Sequence, residues 1–142
     1  MLFNGPVVWK AGLQDTVTTS TTETELLSLK GTTKETYALD RPLRDIPVDL
    51  GPLKVHCDNL QTIRLVVEEN QRITTKLRHV DIQNMWLKQE FKKGRFLAEY
   101  LKTDQMPADA LTKALPRAKF EHFRSMLNLT DIKREVKLET IM

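Results

Sequence analysis

Among 142 residues there is one cysteine, Cys57, so the chain builds neither an internal disulfide framework nor a cysteine-based zinc cluster. Its three histidines, His56, His79 and His122, lack metal-ligand spacing. No serine lies in a nucleophile turn motif, which leaves a hydrolase triad without a nucleophile. No apolar run approaches the roughly 20 residues that a membrane helix needs. The opening Met1-Leu2-Phe3-Asn4-Gly5-Pro6 has neither the charged nor the apolar region of a secretory signal. These absences make a protein that is not secreted and has no membrane partner the natural expectation, placed in the cytoplasm or nucleus. Internal repeats and low-complexity stretches are missing as well.

What is present is ordinary in bulk and uneven in detail. The length suits one domain with a single core, and 40% hydrophobic with 29% charged residues is the balance of a globular protein. Net charge is +3, but it is not spread evenly. Residues 72–95 hold seven basic side chains (Arg72, Lys76, Arg78, Lys88, Lys92, Lys93, Arg95) against Asp81 and Glu90, a local +5; the remaining 15 basic and 17 acidic residues sum to −2. A basic stripe beside an acidic body suits a polyanion such as nucleic acid. A solvated helix face explains the same charges equally well.

Hydrophobic spacing predicts alternating strands and helices. Val7-Val8-Trp9-Lys10 reads as a short strand after an Asn4-Gly5-Pro6 turn. A threonine-rich stretch leads into a helix from about Thr21 to Leu39, with Leu26, Leu29, Tyr37 and Leu39 at helical spacing and Pro42 as its stop. Leu53–Cys57 alternates like a strand. Leu60–Glu69 follows as a helix that turns Ile63, Val66 and Val67 inward. A further helix spans Leu77–Lys92 on Val80, Leu87 and Phe91, and Gly94 stops it. Phe96–Leu101 is a strand. Ala108 onward turns helical, and a last helix covers Arg117–Leu127 on Phe120, Phe123 and Leu127. A charged tail, residues 130–142, follows. The order implies an α/β domain with a mixed sheet.

Three acidic motifs stand at element boundaries. In the first, Ser20 and Glu23 match a capping box at a helix start, and so do Thr22 and Glu25. The two glutamates lie about 200° apart around a helix and cannot face one site; the local pattern leaves open which of them caps. Asp58 directly follows a buried strand, at the carboxyl edge where α/β proteins build sites, although capping the next helix would also account for it. Cys57, on the strand itself, is read as a buried, inert thiol. Asp109 stands in the first turn of a helix after Pro107, where a carboxylate is favourable in its own right.

Taken in order, these phrases resemble the ribonuclease H domain that closes copia-type retrotransposon polyproteins. Gly5-Pro6-Val7-Val8-Trp9-Lys10 resembles that family's first visible strand. Ser20 to Leu29 resembles its two-glutamate phrase, and Asp58-Asn59-Leu60-Gln61-Thr62-Ile63 its aspartate-asparagine-glutamine phrase. Thr75 to Ile82 resembles its basic helix with one residue inserted. Asp104 to Pro116 resembles its closing phrase nearly residue for residue. The likeness covers about Phe3 to Leu129.

The resemblance implies a ribonuclease H-like mixed sheet flanked by helices over residues 1–129. It implies Glu25, Asp58 and Asp109 as catalytic carboxylates that hold Mg²⁺ or Mn²⁺, Glu25 being preferred over Glu23 by the Glu-Leu-Leu-Ser-Leu that follows. The chemistry would be two-metal hydrolysis of RNA in RNA/DNA hybrids, with Lys76, Arg78, His79, Lys88 and Lys92 positioning the hybrid by its phosphates. An upstream reverse transcriptase region of the same polyprotein is the expected neighbour. The departure is at the start: no acid precedes Asp15, so the family's first central strand and its aspartate are not in this sequence. The expectation is therefore a fragment or remnant that is inactive as it stands. The alternative is a non-catalytic nucleic-acid-binding or assembly module that uses the basic segment 72–95.

Overall fold

The computed structural model describes residues 5–130 apart from 13, 16 and 48. The charged tail beyond Thr130 lies outside the described residues. The chain forms two compact units, one from Asp15 to Thr103 and one from residues 1–14 with 104–142. No helix among the described residues is long and apolar enough to cross a membrane.

The unit from Asp15 to Thr103 is built on helix α1 (Thr21–Leu43), strand β1 (Lys54–Cys57), helices α2 (Leu60–Val67) and α3 (Arg78–Lys92), and strand β2 (Leu97–Tyr100). The strands pair in parallel, with Val55 opposite Ala98 and Cys57 opposite Tyr100. Parallel neighbours need a crossover, and here α2 and α3 supply it. Val55 and Cys57 alternate inward along β1 and meet Leu26 and Leu29 of α1, Ile63 and Val66 of α2, and Val80 and Leu87 of α3 in one core that Phe96 completes. Lys54 and His56 point the other way. Both approach Glu99 of β2, at 3.2 and 3.3 Å, on an open sheet face.

Local chemistry fixes the helix ends. Ser20 Oγ accepts from the Glu23 amide at 3.2 Å, which starts α1. Asn59 Oδ1 accepts from the Thr62 amide at 3.1 Å, which starts α2. Gly94 follows α3 at φ 68°, a left-handed conformation open to glycine at no steric cost. α1 runs four residues past its expected end at Leu39 and takes Pro42 into its last turn. A proline near a carboxyl end removes only one ladder bond, and the Arg44 amide still reaches the Asp40 carbonyl at 3.1 Å.

Three expectations need correction. Val7–Lys10 is not a strand, and Val7, Val8 and Trp9 are all exposed. β-branched and aromatic residues form strands when a neighbouring strand and a packed face take them up, and this segment is given neither. The sheet is accordingly smaller than the mixed sheet expected: two strands, both parallel, among the described residues. Val67 also faces outward, because α2 ends at that residue.

In the other unit, Pro107–Leu111 is a short 3-10 helix rather than an α-helix. Helix α4 (Arg117–Met126) buries Phe123 and leaves Phe120 exposed. Asn128, at φ 54°, closes α4 in the left-handed region, and the Leu129 amide returns to the Arg124 carbonyl at 3.2 Å.

Candidate metal centre

The structure assigns different work to the two glutamates of the first acidic motif. Glu23 is buried, and its carboxylate accepts from the Thr19 amide at 2.7 Å and the Thr19 hydroxyl at 2.9 Å. A hydrogen bond from the Thr75 hydroxyl, and then those from Thr19, hold its carboxyl below the usual range. Glu23 thus ties the start of α1 to the segment that enters α3. Glu25, two residues on, faces elsewhere, as helical geometry requires.

Glu25 instead meets the carboxyl end of β1. One ligand atom from each of Glu25, Cys57 and Asp58 can be chosen so that all three lie within 4.8 Å of one another. Two of the three come from adjacent residues of one strand end, where Cys57 is buried and Asp58 half-buried. Asp58 does not cap α2, since its neighbour Asn59 does that. Its Oδ2 accepts from the Thr103 hydroxyl at 3.1 Å, just past β2. Each residue next to the cluster therefore takes the local structural role that competed for the carboxylate.

The donor set fits a hard cation better than a soft one. Burial pushes the Cys57 thiol up to about 11, and the nearby charges of Glu25 and Asp58 add to that. At neutral pH the sulfur carries its proton. It is also engaged locally, accepting from the Asn59 amide at 3.4 Å. Cys57 lines the buried side of the cluster, and the two carboxylates supply its hard oxygen donors. Two carboxylates with water completing the shell is the pattern that suits Mg²⁺ or Mn²⁺. Cys57 is buried, as its place on the strand implies, and its adjacency to Asp58 at the strand end brings it beside the carboxylates.

The remaining expected residues are placed differently. Asp109 lies on the 3-10 helix of the other unit, half-buried and ion-paired with Lys113. In the basic segment, Lys88 donates to the Glu68 carbonyl at 3.0 Å and also to that of Gln71, which pins the turn between α2 and α3. Lys92 pairs with Glu69, whose hydrogen bond and then charge raise the lysine ammonium above the usual range. Lys76, Arg78 and His79 are exposed around the start of α3. The +5 segment is thus divided among several local jobs.

Similar proteins point to one source. No protein-family model matches the chain, and no solved structure does. The chain is 30% identical over 125 residues to the retrovirus-related Pol polyprotein from transposon TNT 1-94 of Nicotiana tabacum, a match covering 88% of the chain. It is 27% and 24% identical over 128 residues to the retrovirus-related Pol polyproteins from transposons RE1 and RE2 of Arabidopsis thaliana, each match covering 89% of the chain. The chain spans 9% of the length of each of these curated relatives. Its homologues are thus stretches of much longer transposon polyproteins.

Proposed function

We propose that this chain is a fragment of a retrotransposon polyprotein descended from its ribonuclease H region, with Glu25 and Asp58 as the surviving core of a divalent-cation site. One observation carries the reading. Glu25 and Asp58 come together at the end of β1, while Glu23 and Asn59 take over the capping roles that would otherwise explain two acids there. Homology to Pol polyproteins supports the source. The ancestral reaction in this reading is hydrolysis of the RNA strand of an RNA/DNA hybrid, and a reverse transcriptase region would be its neighbour in the polyprotein.

A bound Mg²⁺ or Mn²⁺ would stabilise charge developing on phosphate oxygens and make a nearby water more acidic. The chain's own residues do the positioning. The Thr103 hydroxyl orients Asp58, the first turns of α1 aim Glu25, and the buried Cys57 forms the inner wall of the site. Asp109 is the third carboxylate of the reading. Among the described residues the cluster offers two carboxylates to a chemistry that normally uses a pair of cations. The proposed consequence is a chain that holds a cation weakly and cleaves hybrids little or not at all.

Mn²⁺ titration of the full chain, followed by water-proton relaxation, tests the site. One weak site is expected, lost in Glu25→Gln and in Asp58→Asn and kept in Glu23→Gln. Retention in the first two variants would overturn the assignment. Hybrid cleavage by the unaltered chain at millimolar Mg²⁺, abolished by Asp58→Asn, would instead overturn the claim of inactivity.

A further inference from the structure

A second cationic feature lies on the side of the unit where α1 packs against α3. Lys30, Lys34 and Tyr37 recur at i, i+4 and i+7 of α1 and share one stripe. Lys34 Nζ stands 5.6 Å from the centre of the Trp86 ring of α3. Past the end of α3, the Arg95 guanidinium stands 5.0 Å from the centre of the Tyr37 ring. The two rings themselves meet edge to face at 6.2 Å. Lys93 and Arg95 both hold the buried Glu90, each at 3.0 Å. Two cations thus hold one buried carboxylate, and two, Lys34 and Arg95, stand over aromatic rings.

Cation–π contact is worth about 0.5–1 kcal/mol at exposed sites, enough to restrict a long side chain without neutralising it. The row is therefore charged and partly ordered before any partner arrives, which lowers the entropy that binding must overcome. Lys30 adds an independent sign. Burial, and after it the charge of Lys34, holds its ammonium below the usual range, as expected of two ammonium groups set close together. The α1 stripe from Lys30 to Tyr37 is about 10 Å long at 1.5 Å per residue, the scale of a few nucleotides on one ridge.

We infer that the α1–α3 face carrying Lys30, Lys34, Lys93 and Arg95 is a contact surface for the phosphate backbone of a nucleic-acid single strand. A file of phosphates suits cations gathered beside aromatic rings, the composition of strand-tracking surfaces. The face is separate in sequence from the exposed Lys76–His79 group and does not depend on the Glu25–Asp58 site.

The test uses the full chain and a labelled oligothymidine of about 20 nucleotides, longer than a single-domain site needs. Lys30→Gln with Lys34→Gln is expected to weaken binding about tenfold and to lower the slope of log affinity against log salt by about 1.4, roughly 0.7 per lost phosphate contact. The charge-preserving pair Lys30→Arg and Lys34→Arg keeps both values. An unchanged affinity in the glutamine pair would overturn the proposal, and so would equally tight binding to polyglutamate, which would assign the face to an acidic protein. Should the glutamine pair fail to fold, acetylation of the unaltered chain decides the matter: Lys30 and Lys34 are protected by the oligonucleotide if the inference holds, and labelled equally with and without it if it does not. Asp58→Asn leaves this binding intact while removing Mn²⁺ binding, so the two proposals fail separately.

Discussion

Buried Glu90 shows how much one side chain can depend on its neighbours. Burial alone would push its carboxyl up, but hydrogen bonds and charge from Lys93, together with the charge of Arg95, outweigh it and hold the group below its usual range. A carboxylate depressed in this way adds stability that is fully present above the unfolded value near 4.5 and is lost as pH falls through the folded one. The thermal midpoint of the unaltered chain is therefore expected to drop steeply in acid below that value. Glu90→Gln should be less stable at pH 7 and should lose less between pH 7 and pH 3. Matching pH profiles for the two proteins would remove Glu90 from the explanation. At this scale the sequence was only partly legible. The capping box was visible, but two overlapping boxes competed, and the bond from the Glu23 amide to Ser20, with the contacts of Glu23 to Thr19 and Thr75, separates them. Lys88 looked like one more cation of a stripe, because nothing in its local sequence announces the three carbonyls of the α2–α3 turn.

Helices and strands were easier to read than single contacts, since periodicity sums over many residues. α2, α3, β1, β2 and α4 all begin and end within two residues of their expected bounds. The failures share a cause. Val7–Lys10 has strand composition without a partner, and Pro42 has breaker chemistry in a final turn that tolerates it; in both, tertiary context decides. Two glycines give opposite and measurable expectations. Gly31 lies inside α1 with open space around the position of a Cβ, so Gly31→Ala should stabilise by about 0.5–1 kcal/mol through helix propensity alone. Gly94 has equally open surroundings but sits at φ 68°, and Gly94→Ala should destabilise by about 1–2 kcal/mol. Denaturant melts of the pair check both signs. A gain at Gly94 would mean that the turn after α3 is not left-handed.

At the scale of the whole molecule, the candidate cluster draws on α1, the end of β1 and the segment past β2, and no stretch of local sequence contains that fact. Glu25 and Asp58 are 33 positions apart in sequence, and the packing of α1 over β1 makes them neighbours. The family resemblance names both residues, with Asp109; composition and spacing alone do not.

The solitary thiol at the end of β1 equips the chain with a stopwatch. Cys57 is 5% exposed and has no second thiol in the sequence to confuse the record. An alkylating reagent can reach it only when the core opens, so labelling in native buffer times that opening. Slow modification in buffer and peptide-like speed in denaturant are expected; quick native labelling would reveal a core that rarely stays shut.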